Sequence, residues 1–282
     1  MKQINSNRKM QTFARESRRS GKSIALVPTM GFLHEGHLEL MRKAREKADL
    51  VVVSIFVNPI QFGPNEDLDR YPRDLAGDLD KCDSVGVDIV FTPTPEEIYP
   101  NGFQTAVAVN KITQVLCGAS RPNHFQGVTT VVGKLFNLTL PDFAFFGEKD
   151  FQQLAVIRRM VIDLNFPLEI IGVPIVRESD GLAMSSRNAY LPAQQRAEAP
   201  AIYKALSNAR KLYNQGMNEA ERLCKAVSDQ LNKSIESDFK IEYIEIYDSN
   251  NLTLIENKIS SPATILIAVH LGKTRLIDNL QL

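Results

Sequence analysis

The sequence predicts an α/β protein in which a parallel-sheet domain is followed by a smaller α+β domain. Apolar runs alternate with helical periodicities as far as about residue 176, a pattern typical of parallel α/β sheets with right-handed crossovers. The run from Leu50 to Val57 reads as a strand buried on both faces. Beyond about Asp180, two long helical patterns precede several strands, which indicates an α+β unit. We therefore expect two domains, residues 1–177 and 178–282.

The first clear unit is a strand over residues 23–27 that leads through a glycine-containing loop into a helix. After the loop, apolar residues recur at helical spacing at Leu38, Met41, Ala44 and Ala48. The remaining elements of the first domain are predicted, in order, as a strand over 50–57, a helix through Leu75, Leu79 and Cys82, a strand over 88–91, a weak strand over 105–109, a helix over 127–140, a strand over 143–146, a helix over 151–165 and a strand near 168–176.

The second domain is predicted to begin with helices over about 193–214 and 218–235. Three strands follow, over 241–247, 263–270 and 275–277. Asn218 with Glu221 has the spacing of a capping box at the start of the second helix. Asn250 and Asn251 predict a turn between strands, because asparagine tolerates turn conformations.

Composition limits the classes of function. The 282 residues are 44% hydrophobic, enough for a full core, and 33 basic residues balance 33 acidic ones. A net charge of zero argues against a surface that coats nucleic acid. No apolar run has the length of a signal-peptide core or a membrane span, and the three cysteines show no C-x-x-C pairing. We expect a soluble protein of the reducing cytoplasm.

The segment from Pro28 to His37 is the strongest candidate site. A glycine loop that feeds a helix N-terminus favours anions, most often phosphate. His34 and His37 stand three apart rather than in the H-E-x-x-H spacing of a zinc helix, and His37-Leu38 replaces the Lys-Ser/Thr pair of a P-loop. We therefore expect no metal held by the protein here. The simpler interpretation is that the two imidazoles only cap the helix.

Four further clusters have both a functional and a simpler interpretation. Residues 147–150 lie where open sheets bind ligands, or form a plain loop with a capping Asp150. Residues 181–187 offer hydroxyls and a guanidinium for phosphate, or form a polar linker. Asn58 to Gln61 supplies neutral hydrogen-bonding groups for a small polar substrate, or forms a turn. Residues 121–125 add a cation to the pocket, or cap the next helix.

Together these segments resemble the pantothenate synthetases, or pantoate–β-alanine ligases, of the nucleotidyltransferase superfamily that carries H-x-G-H. The resemblance covers almost the whole chain and implies a Rossmann-like nucleotidyltransferase domain followed by a lid domain. One departure is Asn123, where the family usually has glycine or another small residue. The ordered motifs that carry the resemblance are residues 28–31 with 34–37, 54–59 with 61–62, 71–73, 134–137, 146–150 with 152–154, and 180–188.

The resemblance also implies the substrates and the residues that bind them. The substrates are ATP, with Mg²⁺ bound through its phosphates, pantoate and β-alanine. Gln61 and Gln153 hold pantoate, Gln61 lies near β-alanine, and Asn58 completes the substrate-binding set. The implied ATP-binding residues are Met30, Gly31, Phe32, Leu33, His34, Glu35, Gly36, His37, Gly147, Glu148, Lys149, Asp150, Val176, Met184, Ser185, Ser186 and Arg187.

Specific roles within the ATP site follow from the same resemblance. His34, His37 and Lys149 act on the phosphates as the catalytic residues, with His37 as the proton donor. Gly147 and Asp150 hold the ribose. The adenine lies at Val176, and Met184 to Arg187 form a second phosphate-binding strap.

The implied enzyme is an AMP-forming ligase that condenses (R)-pantoate with β-alanine through a pantoyl-adenylate. It acts in coenzyme A precursor biosynthesis as a cytoplasmic homodimer, without nucleic-acid or membrane partners. Two other functions stay open. A nucleotidyltransferase that stops after adenylyl transfer would need extra cations in place of Gln61 and Gln153. A non-catalytic sensor would bind ATP without releasing pyrophosphate.

Overall fold

The computed structural model describes residues 1–64 and 66–282, which separate into two compact units. The first unit comprises Met1–Glu148 and Gln152–Pro174. The second comprises Lys149–Phe151 and Ile175–Leu282. The three residues Lys149–Phe151 thus belong to the second unit, although the chain then returns to the first unit until Pro174.

The first unit is built on a six-stranded parallel sheet in the order β1-β4-β3-β2-β5-β6, which confirms the predicted α/β class. Its strands are β1 Lys2–Ile4, β2 Ile24–Thr29, β3 Leu50–Ile55, β4 Ile89–Phe91, β5 Phe143–Gly147 and β6 Glu169–Val173. The helices alongside are α1 Asn7–Arg19, α2 Glu35–Lys47, α3 Leu75–Ser84, α4 Pro95–Ile98, α5 Cys117–Ser120, α6 His124–Thr139 and α7 Phe151–Asp163, with 3-10 turns at Pro59–Gln61 and Glu148–Asp150.

Both faces of this sheet are buried. Along β3, Val52 packs into one hydrophobic core while Val51 and Val53 pack into the other. Successive side chains of a strand point to opposite faces, so a strand between two cores must be apolar throughout. This explains why β3 shows no alternation of polar and apolar residues in the sequence.

The strand order places the candidate site at a switch point of the sheet. β3 and β4 lie on one side of β2, and β5 and β6 lie on the other. In open α/β sheets, ligands bind outside the carboxyl ends of the strands at such a reversal. His34 ends the loop after β2, His37 lies in the first turn of α2, and Gly147 ends β5. The topology therefore brings two separately predicted motifs to one edge.

Two features of the first unit differ from the sequence prediction. The sequence patterns did not predict β1 or α1, because a three-residue edge strand and a largely polar helix give weak signals in a sequence. The predicted strand over 105–109 was wrong, since these residues form no strand. Instead, Val107 bonds to α6: its N–H donates to Thr130 Oγ1 (3.0 Å), and its carbonyl accepts from Thr129 Oγ1 (2.6 Å).

The second unit packs helices against an antiparallel sheet in the order β7-β8-β9, which confirms the predicted α+β class. Pro200 interrupts the predicted 193–214 helix, because proline cannot continue the backbone hydrogen bonding. The elements are α8 Ala193–Glu198, α9 Ala201–Asn214, α10 Ala220–Ser234, β7 Phe239–Asp248, β8 Ala263–Leu271 and β9 Thr274–Gln281, with a 3-10 turn at Ser186–Tyr190.

Two local predictions in this unit have opposite outcomes. The capping box at Asn218 was wrong, because Glu219 occupies the N-cap of α10 without a side-chain cap. The turn at Asn250 and Asn251 is confirmed, since both backbone N–H groups donate to Asp248 Oδ1 (2.9 and 3.2 Å). Within the two described ranges, no helix is both long enough and apolar enough to cross a membrane.

Candidate functional site

The His loop, defined as residues 30–37, ends in a capping box built from two histidines. His34 is the N-cap of α2, and its Nδ1 accepts from the Gly36 N–H (3.2 Å). His37, at the third helical position, accepts from the His34 N–H through its own Nδ1 (3.3 Å). Leu33 and Leu38 flank the cap and share one hydrophobic core, as in a hydrophobic staple. Both histidines therefore cap α2.

Capping also sets which ring nitrogen carries the proton in a neutral ring. Each Nδ1 accepts a backbone N–H, so a neutral ring carries its proton on Nε2. The two ring centroids are 4.1 Å apart at 43°. At this helix N-terminus, where the sequence predicted unpaired backbone N–H groups, the N–H groups of His34 and Gly36 are bonded to imidazole Nδ1 atoms. Capping and a role at an anion are compatible, because they use different nitrogens.

Asp78 of α3 holds the beginning of the His loop. Its carboxylate is buried and accepts the N–H of Phe32 (2.8 Å) and of Leu33 (2.7 Å). Lys81, one turn later, donates to the Leu33 carbonyl (2.9 Å). Gly31 and Phe32 both adopt positive φ, 82° and 50°, a conformation that needs such support at a residue with a side chain. The loop enters α2 along a path fixed by α3.

Asn58 orients Gln61 towards the His loop. Asn58 is buried, and its amide group donates to Gln61 Oε1 and to the Gly127 carbonyl (3.1 Å each). Tyr99 donates its hydroxyl to Asn58 Oδ1 (2.8 Å), and burial raises the pKa of Tyr99. Gln61 Nε2 in turn lies 3.1 Å from Met30 Sδ. Two predicted site residues that follow neighbouring strands are therefore in contact.

The backbone of Gln61 is held from the other side by His124. Arg121 can only donate, so its bond to His124 Nε2 (3.1 Å) leaves the proton on Nδ1, which donates to the Gln61 carbonyl (2.9 Å). Arg121 also pairs with Glu66. Burial alone would raise the pKa of Glu66, but the hydrogen bonds and charge of Arg121 outweigh it and lower that pKa. Gly127 is required nearby, because a Cβ there would come within 2.7 Å of Gln61 Cα.

Two neighbouring glutamines open α7 and serve different purposes. Gln152 is buried: its amide accepts from the Cys117 N–H (3.0 Å) and donates to the carbonyls of Ile112 and Val115 (2.8 Å each). Gln153 is half-buried and makes no side-chain hydrogen bond to any residue in 1–64 or 66–282. Gln152 fixes the structure around α5, and Gln153 is the one predicted to bind substrate.

In the second unit, residues 176–184 form a β-hairpin. The Met184 N–H donates to the Val176 carbonyl (3.0 Å), and the Glu178 N–H donates to the Leu182 carbonyl (2.8 Å). Gly181, with φ 97°, closes the turn. The predicted adenine residue Val176 and the first strap residue Met184 are thereby brought side by side.

The strap, residues 184–187, runs from the end of the hairpin into a 3-10 turn that begins at Ser186. Ser185 caps this turn by accepting the Arg187 N–H at Oγ (3.3 Å), and Ser186 is buried. Lys149, in the separate three-residue piece of this unit, has its ammonium 3.8 Å from Asp150 Oδ1. Of the other residues implied for ATP, Glu148 belongs to the first unit, and Glu35 pairs with Arg42 on α2.

Sequence reasoning does not single out Asp78, yet the sequence contains a signal for it. Asp78 shares the apolar face of α3 with Leu79 and Cys82, and a lone carboxylate on such a face is rarely buried without a partner. No comparable signal marks Tyr99, and the 121–125 cluster that contains His124 was predicted to add a cation or a cap, not to hold the Gln61 backbone. Their roles depend on which strand ends the fold places next to them.

The chain is similar over its whole length to known proteins. Residues 2–281 match the family model described as pantoate-beta-alanine ligase. A pantothenate synthetase of Geobacter sulfurreducens is 54% identical over 279 residues, covering 99% of this chain and 98% of that protein. The crystal structure of pantothenate synthetase from Thermus thermophilus gives a TM-score of 0.93 at 44% identity, covering 100% and 99% of the two chains. A pantoate-beta-alanine ligase from Francisella tularensis, complexed with beta-gamma ATP and β-alanine, gives 0.81 at 35%, covering 100% and 97%.

Proposed function

We propose a role for each of these residues from one premise: the chain belongs to the pantoate–β-alanine ligase family, whose reaction is the ATP-dependent condensation of pantoate with β-alanine. The observation that carries the proposal is the double-histidine cap at the switch point of the sheet, with Gln61 held against Met30 of the same loop. This arrangement supports a nucleotide phosphate beside a small polar substrate.

The reaction proceeds through two transfers. The carboxylate of (R)-pantoate attacks the α-phosphorus of ATP, and the bond to the leaving pyrophosphate breaks. The amine of β-alanine then attacks the acyl carbon of the pantoyl-adenylate, releasing AMP and forming pantothenate. Activation is needed because a free carboxylate has too poor a leaving group to acylate an amine in water. No protein nucleophile takes part.

The protein contributes donors aimed at the phosphate oxygens. His34 and His37 donate hydrogen bonds from Nε2, and Lys149 and Arg187 add positive charge. We assign His37 a hydrogen bond to the phosphate instead of the expected proton transfer, because a neutral ring capped at Nδ1 would become an imidazolate if it gave up its Nε2 proton. Pre-aimed donors of this kind stabilise the charge that builds up during in-line displacement. The residues proposed to hold the rest of ATP are Met30 to Gly36, Gly147, Glu148, Asp150, Val176, Met184, Ser185 and Ser186.

Pantoate is held by the amides of Gln61 and Gln153, with Gln61 also near β-alanine. Asn58 was expected to contact substrate directly. Because both of its amide hydrogens are engaged, by Gln61 and by Gly127, we assign it the orientation of Gln61 instead. Its bond to Gln61 Oε1 leaves the Gln61 Nε2 group as the donor towards a substrate oxygen.

Magnesium is part of the proposal as a companion of ATP, bound through the phosphates, where it neutralises charge on the departing pyrophosphate. Among residues 1–64 and 66–282, no group of three or more His, Cys, Asp or Glu side chains is placed to hold an ion. Omitting magnesium from an assay that is otherwise complete is expected to abolish adenylate formation, and restoring it should recover the full rate.

We further propose a cytoplasmic homodimer. Two-fold assemblies are the commonest among soluble enzymes. The cytoplasmic location is supported by the cysteines, which are odd in number. Burial raises the pKa of Cys82 to about 12 and of Cys224 to about 11, so these two thiols stay protonated and unreactive, as suits a reducing compartment. Light scattering at micromolar concentration should give twice the 31.6 kDa chain mass. A fully active monomer would contradict the dimer.

Exchange of labelled pyrophosphate into ATP tests the two-step mechanism directly. With ATP, magnesium and pantoate but no β-alanine, exchange is expected, because the adenylate forms reversibly on the enzyme. Gln61→Ala and Gln153→Ala should weaken pantoate binding by roughly 1–3 kcal/mol each through lost hydrogen bonds. Gln153→Ala has a matched control in Gln152→Ala, which should lower thermal stability instead. Lys149→Ala should slow exchange even at saturating pantoate.

The alternatives give different results in the same assay. A nucleotide sensor shows no exchange, and a nucleotidyltransferase shows exchange that ignores pantoate. Exchange that requires β-alanine would overturn the adenylate and indicate a concerted reaction.

A further inference from the structure

Strand β9 carries two consecutive buried polar residues whose partners lie in two different segments. Asp278 is 5% exposed and Asn279 is 6% exposed. Asp278 lies on the same face of β9 as Leu276, which packs into the helix-covered core, so Asn279 lies on the opposite face. One strand therefore provides a polar anchor on each side of the sheet.

Asp278 anchors the hairpin of residues 176–184. It accepts two parallel hydrogen bonds from the Arg177 guanidinium (2.7 and 2.9 Å), which also donates to the Gly181 carbonyl (3.1 Å). The guanidinium lies 3.8 Å from the ring centroid of Tyr203 on α9. Arg177 is thereby fixed in position and plane, and it ties the first strand of the hairpin and its turn to β9.

Asn279 anchors the other segment. Its Nδ2 donates to the Lys149 carbonyl (3.0 Å). This bond holds the main chain of Lys149–Phe151, the three-residue piece that belongs to the second unit although both chain neighbours belong to the first. The Lys149 side chain extends from a backbone that β9 fixes.

A buried ion pair is weak evidence for a stabilising role. Two charges lose hydration on burial, and apolar residues of similar volume often replace such a pair without loss of stability. Burial raises the pKa of the Asp278 carboxyl, and the bonds from Arg177 act in the opposite direction. What an apolar pair would not reproduce is the fixed geometry of a bidentate bond.

We infer that Asp278 and Asn279 are positioning residues. Through them β9 holds both the hairpin that leads into the strap and the main chain of Lys149, so that the phosphate-binding groups of the strap and of Lys149 keep fixed positions relative to each other. This inference rests on the proposed role of those groups at ATP. Neither residue touches substrate; each acts through Arg177 or through the Lys149 main chain. The expected signature is a loss of ATP affinity and of the chemical step, with pantoate binding unchanged, since Gln61 and Gln153 belong to the first unit.

The first test compares single variants. Asp278→Asn and Asn279→Leu should each raise KM for ATP by about tenfold, the equivalent of one misplaced charge-assisted contact. KM for pantoate should change by less than about twofold, because substitutions have little effect on distant residues with which they share no partner. Glu242→Gln is the matched control, because it breaks the Arg275–Glu242 pair between β7 and β9 without touching either anchored segment. It should leave both KM values unchanged.

The second test separates positioning from stability. The double variant Arg177→Met with Asp278→Leu replaces the buried pair by apolar side chains. We expect a melting temperature close to that of the unchanged protein, but a KM for ATP still raised. If the double variant has both the melting temperature and the KM for ATP of the unchanged protein, the Arg177–Asp278 pair only stabilises the fold and the inference fails. This variant also keeps the test valid if Asp278→Asn does not fold.

A final variant distinguishes failure of the inference from failure of the proposed function. Arg187→Ala should raise KM for ATP on its own if the strap binds phosphate. If Arg187→Ala raises it while the Asp278 and Asn279 variants do not, the positioning role is wrong and the proposed function stands. If Arg187→Ala and Lys149→Ala both leave ATP kinetics unchanged, the proposed function itself is wrong.

Discussion

The His loop of the first unit and the hairpin of the second hold residues proposed for the same nucleotide, but by different means. In the His loop, the capping bonds join residues two and three apart in sequence. In the hairpin, Arg177 bonds to Asp278 101 residues away, and Arg196 pairs with Glu178 and Asp180 at its turn. The cap of the His loop is formed by neighbouring residues, whereas the hairpin is held by charged residues that lie 16 to 101 positions away in the sequence.

This difference separates what each segment depends on. Neutral capping bonds respond little to salt, whereas partly exposed ion pairs are screened by it. The cap of the His loop should therefore keep its shape under conditions that loosen the hairpin.

The first test separates capping from chemistry in the His loop. His37→Gln keeps a side chain that suits the third position of a capping box, and His34→Asn keeps a good N-cap, but both remove the imidazole. Turnover should fall by on the order of 10²–10³, as when one pre-organised donor is lost. Single-turnover adenylate formation and melting temperature are measured together. Near-normal rates in both variants would reduce the histidines to capping alone.

The second test concerns the long-range support of the His loop. Asp78→Asn replaces an acceptor of the Phe32 and Leu33 N–H groups by an amide, whose NH₂ group cannot accept. We expect about 1–3 kcal/mol of lost stability and a turnover lowered by about tenfold, because the loop path shifts the cap. Asp74→Ala on the same helix removes only the α3 N-cap and is the control. Equal effects on turnover would show that the helix as a whole matters, not the Asp78 bonds.

The third test loosens the hairpin alone. The hydrogen bond from Arg196 lowers the pKa of Asp180 below its usual value, despite the smaller opposing effect of burial. The resulting stabilisation is present above the ordinary pKa near 4 and is lost as pH falls through the lowered pKa. Hydrogen-exchange protection at Gly181 and Leu182 should fall roughly two- to fivefold in acid or in 1 M salt.

Arg196→Gln should remove the salt dependence, because the ion pair is then gone, and should reduce the pH dependence, because Asp180 then keeps only backbone hydrogen bonds, chiefly the one from the Leu182 N–H. Protection at Leu38 and the other early amides of α2 is the internal reference and should not change with salt. A loss of protection that is equal in both segments would contradict the contrast between local and charge-based support.

The smallest effect is expected at Asn123, which lies outside both segments. Asn123 precedes α6 in the left-handed conformation, with φ 65°, where asparagine and glycine are the favoured residues. Asn123→Gly should therefore change stability by less than about 0.5 kcal/mol, whereas Asn123→Ala should cost roughly 1 kcal/mol. Thermal unfolding measures both, and a large loss in the glycine variant would show that the asparagine side chain itself is needed.

The site divides in the same way when sequence and structure are compared. The H-x-G-H segment, its helix and its place after a buried strand follow from the sequence, because capping, apolar periodicity and turn propensity act over a few residues. Local rules failed where the competing partner was distant. Asn218 does not cap α10, and the segment around Val107 bonds to α6 instead of forming a strand.

The sequence by itself determined the two fold classes, the family resemblance and the residues expected at ATP and pantoate. Only the tertiary structure decided that Asp78 holds the His loop, that Gly127 and Tyr99 orient Asn58, and that the hairpin and Lys149 are fixed on β9. The physical reason is range. A helix cap or strand pattern is encoded within one stretch of chain, whereas a buried hydrogen bond between residues 101 or 130 apart exists only after strand order and register bring its two atoms together.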